Sequence, residues 1–83
     1  MRVELVAADR AVWSGEAQMV IAKTTEGEIG LLAGHEPMLA ILASGEVRIS
    51  LPTGESIKAT ANEGFLSVEH DVVTIVARDA QLA

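Results

Sequence analysis

Apolar and polar residues alternate one for one along most of this chain, the period of a half-buried β-strand. In the first segment Val3, Leu5 and Ala7 alternate with Arg2, Glu4 and Val6, and Asp9-Arg10 makes a turn. Ala11 to Ser14 is a short second strand ending at Gly15, and Met19 and Ile21 belong to a third that reaches Thr24. Glu26-Gly27 is a turn signal, Glu28 to Leu32 a fourth strand, and Gly34 to Pro37 a break. Met38 to Ala43 (MLAILA) is apolar throughout; six residues between a proline and a glycine favour a buried strand over a helix.

The second half alternates more cleanly. Val47, Ile49 and Leu51 oppose Glu46, Arg48 and Ser50, and Pro52-Thr53-Gly54 supplies a hairpin turn. Ile57, Ala59 and Ala61 point one way from Ser56 to Ala61, and Asn62-Glu63-Gly64 turns the chain again. Phe65 to Glu69 and Val72 to Ala77 form a last hairpin across His70-Asp71, and Ala77 to Ala83 has the start of a helical composition. The expectation is an all-β fold, a flattened antiparallel sandwich or barrel of about ten short strands with turn signals every 8–12 residues or so. Residues 1–83 are expected to form one domain.

Composition narrows the function classes. Half the residues are apolar, yet Trp13 and Phe65 are the only aromatics, so aliphatic side chains must fill the core. Base-stacking platforms need more aromatics, and a net charge of −6 repels phosphate backbones, so nucleic-acid binding is disfavoured. There is no cysteine, hence no disulfide framework or thiolate metal site, which suits a reducing cytosol. No apolar run is long enough to span a bilayer, and Met1-Arg2-Val3-Glu4 lacks the apolar stretch of a signal peptide.

Candidate chemistry is thin. His35-Glu36 and His70-Asp71 are the only histidine–acid neighbours; on separate turns they lack the convergent three or four ligands that zinc requires. The serines sit in strands or turns without a nucleophile elbow. Gly27, Gly30 and Gly34 match neither the phosphate-loop nor the dinucleotide spacing, and serve turns and bulges instead. No catalytic, metal or cofactor site is expected. What stands out is Thr24 to Pro37 (TTEGEIGLLAGHEP), where Glu26, Glu28 and Glu36 interleave with Ile29, Leu31 and Leu32. From the residues alone, an interaction surface and a plain scaffold explain this stretch equally well. A free-standing sandwich that binds a peptide or small molecule is the alternative, and it would need a concave apolar pocket.

A resemblance tips that balance. VELVAADRAVWSGEA, TTEGEIGLLAGHEPMLAIL, GEVRI and GFLSV resemble, in register, the N-terminal β-sandwich domain of the epsilon-subunit family of F-type ATP synthases. Glu26 to Leu39 is similar to that family's E-G-[DE]-[IL]-G-x-x-P-G-H-x-P-L-[LV] signature. Ala33 stands where proline is usual, which loosens the loop slightly, and Met38 replaces leucine at similar volume.

The resemblance implies a ten-stranded sandwich acting as a non-catalytic rotor part of the proton-translocating complex. Its implied partners are the gamma subunit and the membrane c-ring, with no direct membrane insertion. The implied location is peripheral, at the cytoplasmic face of the bacterial plasma membrane. It implies a c-ring contact at Glu26, Gly27, Glu28 and Ile29, where Arg-rich ring loops would meet the Glu28 carboxylate. It implies a gamma contact at His35 and Ala40. The family's paired C-terminal helices have no counterpart in these residues, so their inhibitory reach and ATP site are not carried over.

Overall fold

The computed structural model describes residues 1–83. It contains no helix and eight strands: β1 (Arg2–Ala7), β2 (Arg10–Glu16), β3 (Met19–Thr24), β4 (Gly27–Leu32), β5 (Met38–Leu42), β6 (Gly45–Ser50), β7 (Ser56–Glu69) and β8 (Val72–Leu82). All belong to one hydrogen-bonded network in the order β2-β1-β8-β7-β5-β3-β4, with β6 bridging β3 and β7.

The network folds over on itself at one level of the chain. On β7 the buried residues are Ala59 and Ala61 before Asn62, then Leu66 and Val68 after Gly64. The inward set has changed from odd to even positions. On β8 it runs Val73, Ile75, Ala77 and then Ala80. From β5 to β6 it passes from Leu42 to Val47 and Ile49. Side chains of a regular strand keep to one face at every second residue, so a change of parity means the strand has rolled over.

The three changes lie side by side, because Asn62 pairs with Asp79, Gly64 with Ala77 and with Leu42, and Ala61 with Gly45. There the sheet turns a corner and its two halves close face to face. Val3, Leu5, Val20, Leu31, Ile49, Leu66, Val73 and Ile75 fill the space between them. The result is a β-sandwich whose core, as the aromatic-poor composition requires, is aliphatic.

Three sequence expectations change. Asn62-Glu63-Gly64 does not separate two strands; it is the bend inside the continuous β7, with Glu63 at φ 50°. Counted by layer, β7 and β8 each contribute twice, which reconciles eight strands with the expected ten or so. Ala77 to Ala83 does not begin a helix, because β8 continues to Leu82 by pairing with the first half of β7. Finally, β1 and β8 run parallel, Arg2 against Val72 to Ala7 against Ala77, in a sheet that is otherwise antiparallel.

Candidate interaction surface

The β3–β4 hairpin is built by a residue the sequence reading passed over. The Thr24 hydroxyl, almost fully buried, donates to the Gly27 carbonyl oxygen at 2.7 Å and accepts the Glu26 N–H at 3.2 Å. Gly27 follows at φ 118°, a conformation open to glycine and costly for other residues. The turn therefore holds its shape and leaves Glu26 exposed at the tip.

Along β4, Ile29 and Leu31 face the core, while Glu28 and Leu32 (61% exposed) face outward. Ile29 lies opposite the buried Ala22 and packs against the core, whereas Glu28 lies outward beside its cross-strand partner Lys23. Arg48 comes within 3.9 Å of the Glu28 carboxylate and 3.4 Å of Glu46, so Glu28 joins an exposed mixed-charge cluster. An exposed contact of that length is weak. Glu28 can exchange Arg48 for another cation at little cost.

At the other end of β4, Ala33 to Pro37 crosses to β5. The His35 N–H closes a turn on the Leu32 carbonyl at 3.2 Å, and His35 Nδ1 donates to the Glu36 carbonyl oxygen at 2.7 Å. The Gly34 N–H donates to Asp71 Oδ1 at 2.8 Å, which ties this loop to the β7–β8 turn. Both histidine-bearing turns thus sit at one end of the sandwich. Their rings take different partners, Glu36 for His35 and Glu69 for His70, and no three metal-ligating side chains converge.

Ala40 is half-buried on the core side of β5, opposite the fully buried Leu66. Its neighbours Leu39 and Ile41 point outward and are 71% and 64% exposed. The expected buried strand thus has only one buried face. Ile41 lies opposite Phe65, Phe65 opposite Val76, and Val76 beside Val6, so one apolar row crosses β5, β7, β8 and β1. Sequence reading missed Leu39, Ile41 and Phe65. The available signal was MLAILA itself, since β5 is the one strand apolar at every position.

The one concave feature is a groove of about 560 Å³ beside the β1–β2 turn, lined by Asp9, Arg10, Asn62, Arg78, Asp79 and neighbours. Its arginines are already engaged, Arg10 with the Ala80 carbonyl oxygen at 3.0 Å and Arg78 with Glu63 at 3.2 Å. It lacks the apolar lining that small-molecule pockets have.

The family model for the "ATP synthase, Delta/Epsilon chain, beta-sandwich domain" matches residues 1–83. This chain belongs to that family. The ATP synthase epsilon chain of Streptomyces avermitilis is 48% identical over 83 residues, which cover 100% of this chain and 67% of the relative. That of Micrococcus luteus is 49% identical over 82 residues, covering 99% of this chain and 90% of its own.

Among solved structures, a chain of the Euglena gracilis mitochondrial ATP synthase (OSCP/F1/c-ring) superposes with a TM-score of 0.90 at 29% identity over 96% of this chain. This chain spans about half of that one, 51% of its length. A chain in the central stalk/c-ring of the Tetrahymena thermophila mitochondrial ATP synthase shares the fold, with a TM-score of 0.80 at 20% identity. As a family member this chain is an accessory, non-catalytic component of ATP synthase, and so of a membrane-associated complex. It has no helix long and apolar enough to cross a membrane itself.

Proposed function

We propose that the sandwich serves in the central stalk and links the gamma subunit to the c-ring during proton-driven ATP synthesis, at the cytoplasmic face of the membrane. The family membership and the central-stalk assemblies of its structural neighbours support this reading. The observation that carries it is the separation of two unlike surfaces along β4. At one end is the acidic tip, Glu26 with Glu28 just behind it; at the other is the His35 loop, from which β5 runs back past the outward Leu39 to Ile41, whose carbonyl oxygen accepts the Thr25 N–H at 3.0 Å. Six residues of strand hold the two ends about 17 Å apart.

In this reading the acidic turn, residues 26–29, faces the basic loops of the ring, with Glu28 exchanging Arg48 for an arginine of the partner. Ile29 acts from beneath by fixing the strand. His35 and the β5 face lie toward gamma, with Ala40 setting the spacing between Leu39 and Ile41. Torque transfer needs interfaces that do not slip, so apolar area supplies the hold and rim charge sets the register. The whole sandwich, residues 1–83, acts as one rigid domain in this role. A single apolar row suits a protein partner, whereas the peptide- or small-molecule-binding alternative has no apolar pocket to stand on.

The test is size-exclusion chromatography of the chain mixed with the gamma subunit. A shared early peak is expected, and two independent peaks would remove the gamma assignment.

A further inference from the structure

We propose that Asp71 is a positioning residue for the β4–β5 loop, its carboxylate fixing the conformation in which Gly34 and His35 meet a protein partner. The proposal rests on the reading of this loop and the β5 face as the gamma contact.

The loop has little else to hold it. Between Leu32 and Met38 there is no strand pairing, and its internal bonds are the His35 turn and the contact from the His35 ring to Glu36. Gly34 sits at φ 82° with nothing within 4 Å of where a Cβ would be, so packing does not restrain it. Glycine with that freedom samples many conformations unless a bond selects one. The bond present is the Gly34 N–H to Asp71 Oδ1 at 2.8 Å, joining positions 37 apart in the chain. Its acceptor is a carboxylate oxygen, and hydrogen bonds to carboxylates are stronger than those between neutral groups.

Asp71 is itself firmly placed. It and His70 adopt φ of 61° and 52°, the paired left-handed residues of a two-residue hairpin turn. Its carbonyl oxygen accepts the Arg2 N–H at 3.1 Å, and its other carboxylate oxygen lies 3.7 Å from the Met1 ammonium. The long, regularly paired β7 and β8 approach it from both sides. A turn of this type is served with less strain by Asn-Gly. The carboxylate makes no hydrogen bond within its own turn but reaches across to the loop, a task the turn does not need. Asp71 thus transmits the rigidity of the β7–β8 hairpin to a loop that has only two internal bonds of its own.

The experiment compares Asp71→Gly, which relaxes the left-handed turn while removing the carboxylate, with Asp71→Asn, which keeps the turn and an uncharged acceptor. Three quantities are read on the full chain: amide exchange at Gly34, the melting temperature, and the Kd for the gamma subunit. Asp71→Gly is expected to speed Gly34 exchange about tenfold and weaken gamma binding by a similar factor, with little change in melting. Asp71→Asn is expected to fall between Asp71→Gly and the wild type in exchange and Kd.

Unchanged Gly34 exchange in both variants would overturn the proposal. So would a lowered melting temperature with an unchanged Kd, which is what a merely structural aspartate gives. Ile41→Asp separates this proposal from the reading beneath it. If Ile41→Asp abolishes gamma binding while Asp71→Gly leaves it intact, the positioning role alone falls. If neither variant affects binding, the gamma-facing assignment falls and takes the positioning role with it.

Discussion

The corner of the sandwich gives a severe test, because it depends on one missing Cβ. Gly64 and Ala77 are cross-strand partners where β7 and β8 roll from one layer to the other. A Cβ on Gly64 would stand 1.8 Å from the Val76 carbonyl oxygen, 2.7 Å from Ala77 Cα and 2.8 Å from the Val76 carbonyl carbon, all backbone atoms. Carbon and carbonyl oxygen normally approach no closer than about 3.3 Å, so Gly64→Ala must open the strands by about 1.5 Å. That takes the adjacent hydrogen bonds beyond useful length. No rotamer relieves a clash between backbones.

The cost sits at or above the top of the usual overpacking range, about 3 kcal/mol. In a domain of this size each kcal/mol lowers the melting temperature by roughly 4–8 °C, so a fall of about 12–24 °C follows. Thermal unfolding by far-UV circular dichroism measures it, with Gly30→Ala as the control. Gly30 has open space around it and an unstrained φ, and its replacement is expected to be neutral or slightly stabilising. If Gly64→Ala melted with the wild type, the shared corner of β7 and β8 would be wrong.

Three further outcomes test the surface. Glu28→Lys is expected to weaken association with the c-ring in a pull-down while melting stays within about 1 kcal/mol of wild type, since Glu28 is exposed and its Arg48 contact is long. Thr24→Val removes the hydroxyl that closes the β3–β4 turn on Gly27 and Glu26; a loss of about 1–2 kcal/mol in urea unfolding is expected, together with faster exchange of the Glu26 amide. Ile41→Asp is expected to abolish co-elution with gamma and to leave the fold intact, because the side chain points into solvent; wild-type co-elution would discard the β5 face as the contact.

The local pairings were legible because alternation and turn chemistry are short-range signals. Val47–Ile49 against Ile57–Ala59 follows from period two and a Pro-Thr-Gly turn, and Thr24-Thr25-Glu26-Gly27 reads as a hairpin from its glycine. Long-range geometry was not legible. Asn62-Glu63-Gly64 has the composition of a turn, and only its partner strands decide that it is a bend in a continuous strand. The parallel pairing of β1 with β8 joins the two ends of the sequence and leaves no local trace.

The same limit governs the surface. Thr24 to Pro37 stood out through its residues, its reading as a contact came from the resemblance, and in the fold Glu28 lies outward while Ile29 is turned to the core. The β5 face escaped because a strand apolar on both sides reads as buried until its neighbours are known. Asp71 escaped because an aspartate in a turn ordinarily needs no further explanation. Its bond to Gly34 exists only once the fold brings the two turns together.

The central claim is that the slab grips its partners by separate surfaces, and that the gamma subunit is held by one outer face, carried by β5 and β7. Methyl NMR during titration with the gamma subunit tests it most directly. Leu39 and Ile41 resonances are expected to shift or broaden first, while buried Leu66 and Ile75 and the residues around Arg48 on the other layer stay in place. Perturbation centred on the Arg48 face, with Leu39 and Ile41 unmoved, would contradict it.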